Sequence, residues 1–222
     1  MGVLLMLATI GGLFAAIILL IAASLTKKGW LAKFTIGGVA VWLVFYAVML
    51  LGFSLTSKEK VLAAGEAKEY CGVYLDCHMH TTVTDVRTAQ AIGDRKSNGT
   101  FYIATVRVFS NAKDPSINLH LLEPKARVVQ TDGTKIERDT TAEALLPTTN
   151  VRLDADVDNK QSIEKEIVFD LPATATNLKL LITEGYGIDK NIEQVLVGDE
   201  DSLFHAQTFF DLTEQSQTAG VK

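Results

Sequence analysis

Two uncharged apolar runs, Val3–Ala23 and Phe34–Leu55, limit the fold of this chain more than anything that follows them. At 1.5 Å per residue, about 21 helical residues extend roughly 31 Å, the thickness of a bilayer's hydrocarbon core. Neither run contains proline, so each is expected to form one unbroken helix. The reading is a transmembrane hairpin, with spans at 1–25 and 34–56 and a basic turn at 26–33. Lys27, Lys28 and Lys33 are the only charged side chains before Lys58. Short lysine-rich loops stay in the cytoplasm, so both termini are expected on the far side. Trp30 suits the inner interface. In an antiparallel hairpin, Ala22 and Ala23 are expected level with Gly37 and Gly38, where small residues let backbones approach. The rival reading makes residues 1–24 a cleaved signal peptide ending at Ala22-Ala23-Ser24. No lysine or arginine precedes that run and its apolar core is too long, so retention is favoured.

The remainder is a different kind of sequence. It holds all 26 acidic residues and 18 of the 21 basic ones, a net charge of about −8. Such a surface repels phosphate backbones and argues against nucleic acid as a partner. The chain has two cysteines, Cys71 and Cys77, which an oxidising compartment allows to be bridged. Residues 57–70 read as a linker, 71–213 as one β-domain and 214–222 as a flexible tail.

Within that domain, Thr81-Thr-Val-Thr-Asp-Val86 and Phe101-Tyr-Ile-Ala-Thr-Val-Arg-Val-Phe109 have the composition of strands. Phe101–Phe109 is apolar on both faces, as in a central strand. Residues 91–100 read as a turn-rich connection, and 117–130 as a strand pair or one bent strand. Asp132-Gly133 marks a hairpin turn. A helical turn is expected at Ala142–Leu146. Further strands are expected at 162–169, 178–183, 193–197 and 208–212. This many short strands with almost no helical period predicts an all-β, immunoglobulin-like antiparallel sandwich. The six-residue cysteine spacing departs from an antibody-type inter-sheet pair.

Four stretches carry a resemblance. They are Gly65-Glu…Tyr70-Cys71…Asp76-Cys77-His78, Gly99–Phe109, Val168-Phe-Asp-Leu-Pro172 and Gly198-Asp-Glu-Asp-Ser-Leu-Phe-His205. Together they resemble an uncharacterised family of bacterial membrane-anchored, immunoglobulin-like extracytoplasmic proteins. The resemblance covers roughly residues 62–213, with Asp-Cys-His and Gly-Asp-Glu-Asp-Ser its most specific parts. It implies a β-sandwich in the bacterial envelope and no particular activity.

The chemistry-bearing residues concentrate at Cys71–His80. On a strand, His78 and His80 share one face, and imidazole suits zinc or copper. Cys71 and Cys77 would add soft ligands, and His205 would join if its loop folds back. The alternative, and the preferred reading, is a Cys71–Cys77 disulfide with histidines beside it. The spacing excludes a Cys-x-x-Cys-His haem site. Asp199, Glu200 and Asp201 are candidate calcium ligands, as are Asp154, Asp156 and Asp158. The latter set has Asn159 where a calcium loop needs glycine and Lys165 where it needs glutamate, so both acidic stretches read as solvated loops. No motif specifies an enzyme. The expected role is an interaction or structural module in contact with the bilayer and with other membrane or envelope proteins. The alternative is a copper- or zinc-binding or redox accessory protein.

Overall fold

The computed structural model of the protein describes residues 2–71, 77–114, 116–185 and 187–212. The chain divides into two compact units, Met1–Glu59 with Gly187–Gln207, and Lys60–Tyr186 with Thr208–Lys222. Residues 72–76, including Asp76, and the expected tail at 214–222 lie outside the described residues.

The first unit is built on α1 (Gly2–Leu25) and α2 (Gly29–Thr56). The turn between them is shorter than the sequence suggests. The Lys28 N–H donates to Ala23 O at 3.0 Å, and α2 starts at Gly29, so Trp30 and Lys33 already belong to its first turns. Trp42 Nε1 donates to Thr9 Oγ1 at 3.0 Å, which sets the antiparallel register. Residue 9 therefore lies beside residue 42, and Ala22 and Ala23 fall near the turn instead of opposite Gly37 and Gly38. A Cβ added at either glycine would meet no atom within 4 Å. The expected close approach at those glycines is absent, and a gap of about 300 Å3 opens between Gly12 and Gly38. Thr9, Thr35 and Thr56 each return their hydroxyl to the carbonyl four residues back, which satisfies it within the helix.

The second unit is a pair of sheets. One has the order β1 (Lys60–Leu62), β9 (Thr208–Asp211), β8 (Lys179–Thr183), β5 (Lys125–Val129), β6 (Lys135–Glu137). The other runs β2 (Ala67–Tyr70), β3 (Met79–Ile92), β4 (Arg95–Ser110), β7 (Ser162–Leu171). Every pairing is antiparallel except β1 with β9. The chain is thus two apolar N-terminal helices followed by an antiparallel β-sandwich. β1 and β2 lie in the stretch read as a linker. Residues 91–100 are also different from expectation. Gly93, at φ 56°, lets β3 turn directly into β4, so Arg95–Thr100 is strand. Residues 117–124 contribute only a bridge between Leu119 and Val157.

Between the sheets lies the main core, with Val83, Val106, Val128, Phe169, Leu180, Ile182 and Phe210 all buried. Lys68 and Tyr70 reach across it, and both donate to Ile182 O of the opposite sheet. The second apolar face of β4 has its own cover. Phe101 and Ile103 pack with Ile92, Ala142, Leu146 and Val168 under a segment carrying α3 (Thr140–Glu143). That segment also closes the outer edge of β7. Asp139 N–H donates to Val168 O at 2.7 Å, Glu143 Oε1 accepts from Val168 N–H at 3.1 Å, and Thr148 Oγ1 accepts from Glu166 N–H at 3.2 Å. Over Glu166–Val168, one backbone amide and two side chains thus do what a neighbouring strand would do, and they occupy that part of the edge.

Asp139 also caps α3, accepting from Ala142 N–H at 2.9 Å, and it pairs with Arg95. Burial pushes its carboxyl up, but the Ala142 N–H, the Arg95 hydrogen bond and charge, and the Thr141 N–H outweigh this and hold it below the usual range. A depressed folded pKa stabilises above the unfolded value of about 4 and is lost as pH falls through the folded value. The wild type should therefore melt above Asp139→Asn at pH 6, and the gap should close as the pH falls from about 4 through the depressed folded value. Calorimetry across that range checks it.

Candidate functional site

The Cys71–His80 stretch resolves into separate pieces. Cys71 and Cys77 form a disulfide, with Cα atoms 4.0 Å apart, which takes both sulfurs out of any thiolate ligand set. His78 precedes β3, and its Nδ1 hydrogen-bonds Asn111 Oδ1 at 2.7 Å. His80 lies in β3 opposite Phe109, and their rings stack with centroids 5.1 Å apart. The Arg107 guanidinium lies over the same Phe109 ring. Among the described residues, no hydrogen-bond partner meets the buried His80 Nε2. His205 Nδ1 bonds Ala206 O at 2.7 Å, and His205 belongs to the helical unit. Among the described residues, no three His, Cys, Asp or Glu side chains gather as a metal site. The bridge closes a small loop at the entrance to β3, so replacing both cysteines by serine should cost about 2 kcal/mol. Thermal melting with and without reductant checks this, since reductant should shift only the wild type.

The Gly198–His205 motif is bound up with the helices. Gly198, at φ 80°, turns the chain. Asp199 Oδ1 accepts from Asp201 N–H at 2.9 Å, and the Ser202 hydroxyl donates to Asp199 O at 2.7 Å. Ser202 Oγ lies 3.2 Å from Ser54 Oγ of α2. Tyr46 of α2 donates its hydroxyl to Val195 O at 2.6 Å, and Ala206 N–H donates to Ser57 Oγ at 2.7 Å. Burial pushes the Asp199 carboxyl up, and the neighbouring Asp201 and Glu200 charges add to this against the pull of the Asp201 N–H. The carboxylate is occupied in shaping the turn. Residues 193–197, read as a strand, instead continue from α4 (Gly187–Glu193) as successive turns. Composition could not reveal this, because the stretch finds its partners on α2 and not in a sheet. The serine and tyrosine positions on α2 were the available signal.

The other acidic stretch is likewise engaged. Asp154 pairs with Arg152, Asp156 with His120, and Asp158 accepts from Lys160 N–H. Beside it, sequence reading missed a polar cleft of about 500 Å3 whose walls include Lys125, Arg138, Glu143, Arg152 and Lys165. Several of its charges are held within its own walls. Arg138 forks onto Glu143, and the buried Lys165 ammonium donates to Thr148 O at 2.8 Å. Burial pushes the Lys165 ammonium down, against the pull of the Glu143 carboxylate. The cleft is thus a product of the closed β7 edge. In the same way Gly99 and Asp170, from two of the family-like stretches, serve the fold. Asp170 accepts from Asn98 N–H and Gly99 N–H.

No curated protein matches this chain. Among solved structures, a secreted Mycobacterium tuberculosis protein, MPT63, is similar over 71% of this chain and 99% of its own at 14% identity and a TM-score of 0.41. The yjhA protein of Bacillus subtilis is similar over 68% and 98%, at 10% identity and a TM-score of 0.40. An uncharacterised β-sandwich protein of Clostridium difficile 630 is similar over 71% and 96%, at 12% identity and a TM-score of 0.34. The sequence profile of a domain of unknown function, DUF4352, matches residues 75–192, more than half of the chain, and the protein belongs to that family.

Proposed function

We propose that this protein is a membrane-anchored, extracytoplasmic β-sandwich of immunoglobulin-like kind. In this reading it acts as an interaction or structural module, an accessory subunit of an envelope assembly. The observation that carries the anchor is the outward face of the two helices. Only 6% of each apolar span is buried, and Phe14, Ile18, Phe34 and Val41 each stay 65–74% exposed. A soluble core helix would bury those side chains, so lipid or apolar protein covers them. The Trp42–Thr9 hydrogen bond favours a retained α1 over a cleaved leader. Lys27 and Lys28 in the turn favour an inside turn and an outside sandwich. The disulfide fits an oxidising compartment.

An accessory role is supported by how the polar groups are used. Arg138 with Glu143 and Arg152 with Asp154 are paired at the cleft, and His120 holds Asp156 of the acidic loop, so the loops and the hairpin's lateral face are the natural contact surfaces. Purification from native membranes in mild detergent tests it. We expect a stable complex with another membrane protein, and a reporter fused after Lys222 should be active only outside the cytoplasm. A lone monomer in every condition overturns the accessory role, and an internally active reporter overturns the topology. One copper or zinc per chain would instead favour a metal-handling role through His78 and His80.

A further inference from the structure

Between β8 and β9 the chain leaves the sandwich unit, and residues 187–207 belong with the helices. The contacts of that excursion fix its level along α2. Val195 O is held by Tyr46, ten residues before the end of α2, which is about 15 Å at 1.5 Å per residue. Val197 lies against Gly2, so close that a Cβ there would come within 2.4 Å of Val197 O. Gly198 lies near Phe53, and Ser202 lies beside Ser54. The stretch therefore runs alongside apolar turns of α2, at the level where α1 begins.

Its backbone is suited to that level. Val195, Leu196, Asp199, Ser202, Leu203 and His205 all donate their N–H to carbonyls within the segment, and Ala206 donates to Ser57. Irregular backbone is tolerated at membrane depth only where it lies against protein, and this one lies along α2 with most of its amides bonded. Three of its apolar side chains are turned outward. Val195 is 40% exposed, Leu203 43% and Phe204 72%. Phe204 sits at φ 65°, a left-handed conformation unfavourable for a bulky residue, and it turns an aromatic ring outward.

We propose that residues 194–206 form a wedge that seats Val195, Leu203 and Phe204 among the lipid chains of the outer leaflet, beside α2. Asp199, Glu200 and Asp201 ride at the level of the lipid headgroups. The occupant of this surface is the bilayer itself, because the exposed apolar groups continue the apolar face of α2. The inference rests on the hairpin spanning the membrane, and its test separates the two.

The full chain is reconstituted in phosphatidylcholine–phosphatidylglycerol vesicles with an environment-sensitive fluorophore on one introduced cysteine. The native cysteines are bridged, so Phe204→Cys, Leu203→Cys, Val48→Cys and Lys135→Cys are each labelled singly. Nitroxide on the upper acyl chain should quench labels at 203 and 204 about threefold more than it quenches the Lys135→Cys control in β6, and aqueous iodide should show the opposite order. Val48→Cys in α2 reports the span. Lipid quenching at 48 but only iodide quenching at 203 and 204 overturns the wedge and leaves the anchor standing. Iodide quenching at all sites overturns both.

Discussion

Replacing Glu143 by alanine should lower the stability of the sandwich by about 4 kcal/mol, and its melting temperature by about 12 °C. The carboxylate is almost wholly buried, with 5% of its side chain exposed, and it has two tasks. One oxygen accepts the Val168 N–H of the β7 edge, and both oxygens hold the Arg138 guanidinium. Alanine removes both partners together. A strand N–H is left buried without an acceptor, and a guanidinium loses its counter-charge, while the nearby Lys165 ammonium loses the carboxylate that offsets it. Glu143→Gln separates the tasks. It keeps an acceptor for Val168 and loses the charge, so it should cost about half as much. Arg138 is a quarter exposed and can turn to water, so Arg138→Ala alone should be milder. The double variant should reveal a coupling above about 1 kcal/mol. Calorimetry of the full chain in detergent measures all four. Additive losses would mean that the pair is a surface feature and that β7 is held by something else.

Gly99→Ala should cost about 3 kcal/mol for a different reason, the lack of room for one carbon. A Cβ on residue 99 would lie 2.2 Å from Leu171 O and 2.9 Å from Pro172 Cα. Both are backbone atoms, so no side chain can rotate away. β4 and β7 would have to separate where Thr100 pairs with Leu171. The shift would also pull the Asn98 and Gly99 amides away from the Asp170 carboxylate that binds them. A fall of about 9 °C in melting temperature is expected. Gly133 is the control. It occupies a turn at φ 82° with no atom near its added Cβ, so alanine there pays only for the unfavourable backbone. Equal losses at the two sites would remove steric approach as the explanation.

These two residues show how far the sequence could be read. The apolar character of β4 on both faces was legible, and so was its place in the middle of a sheet. The closed β7 edge was not, because it depends on side chains of Glu143 and Thr148 standing in for a strand. Nothing in the local pattern around those residues distinguishes such an acceptor from a solvated one. The helices were legible from their lack of charge, but their register was not. It turns on a single Trp42–Thr9 hydrogen bond and a turn shorter than its lysines suggest. The cysteine pair was legible as a disulfide from its spacing. The Gly-Asp-Glu-Asp-Ser motif stood out as a candidate ligand loop, whereas its serine meets a helix serine and its first aspartate builds a turn. A stretch that packs against a distant part of the chain carries no periodicity of its own.

Strand β9 lies between β1 and β8, although β1 is the first strand in the chain and β9 the latest of those described. While the ribosome is still short of Asp211, the sheet has a slot in it, flanked by two strands with unpaired amides and carbonyls. Such a nascent chain cannot complete its core, since Phe210 and Leu212 are among the side chains that fill it. Assembly of this sheet must therefore wait for translation to pass Leu212, and prematurely terminated products would present two adhesive borders to proteases and to one another.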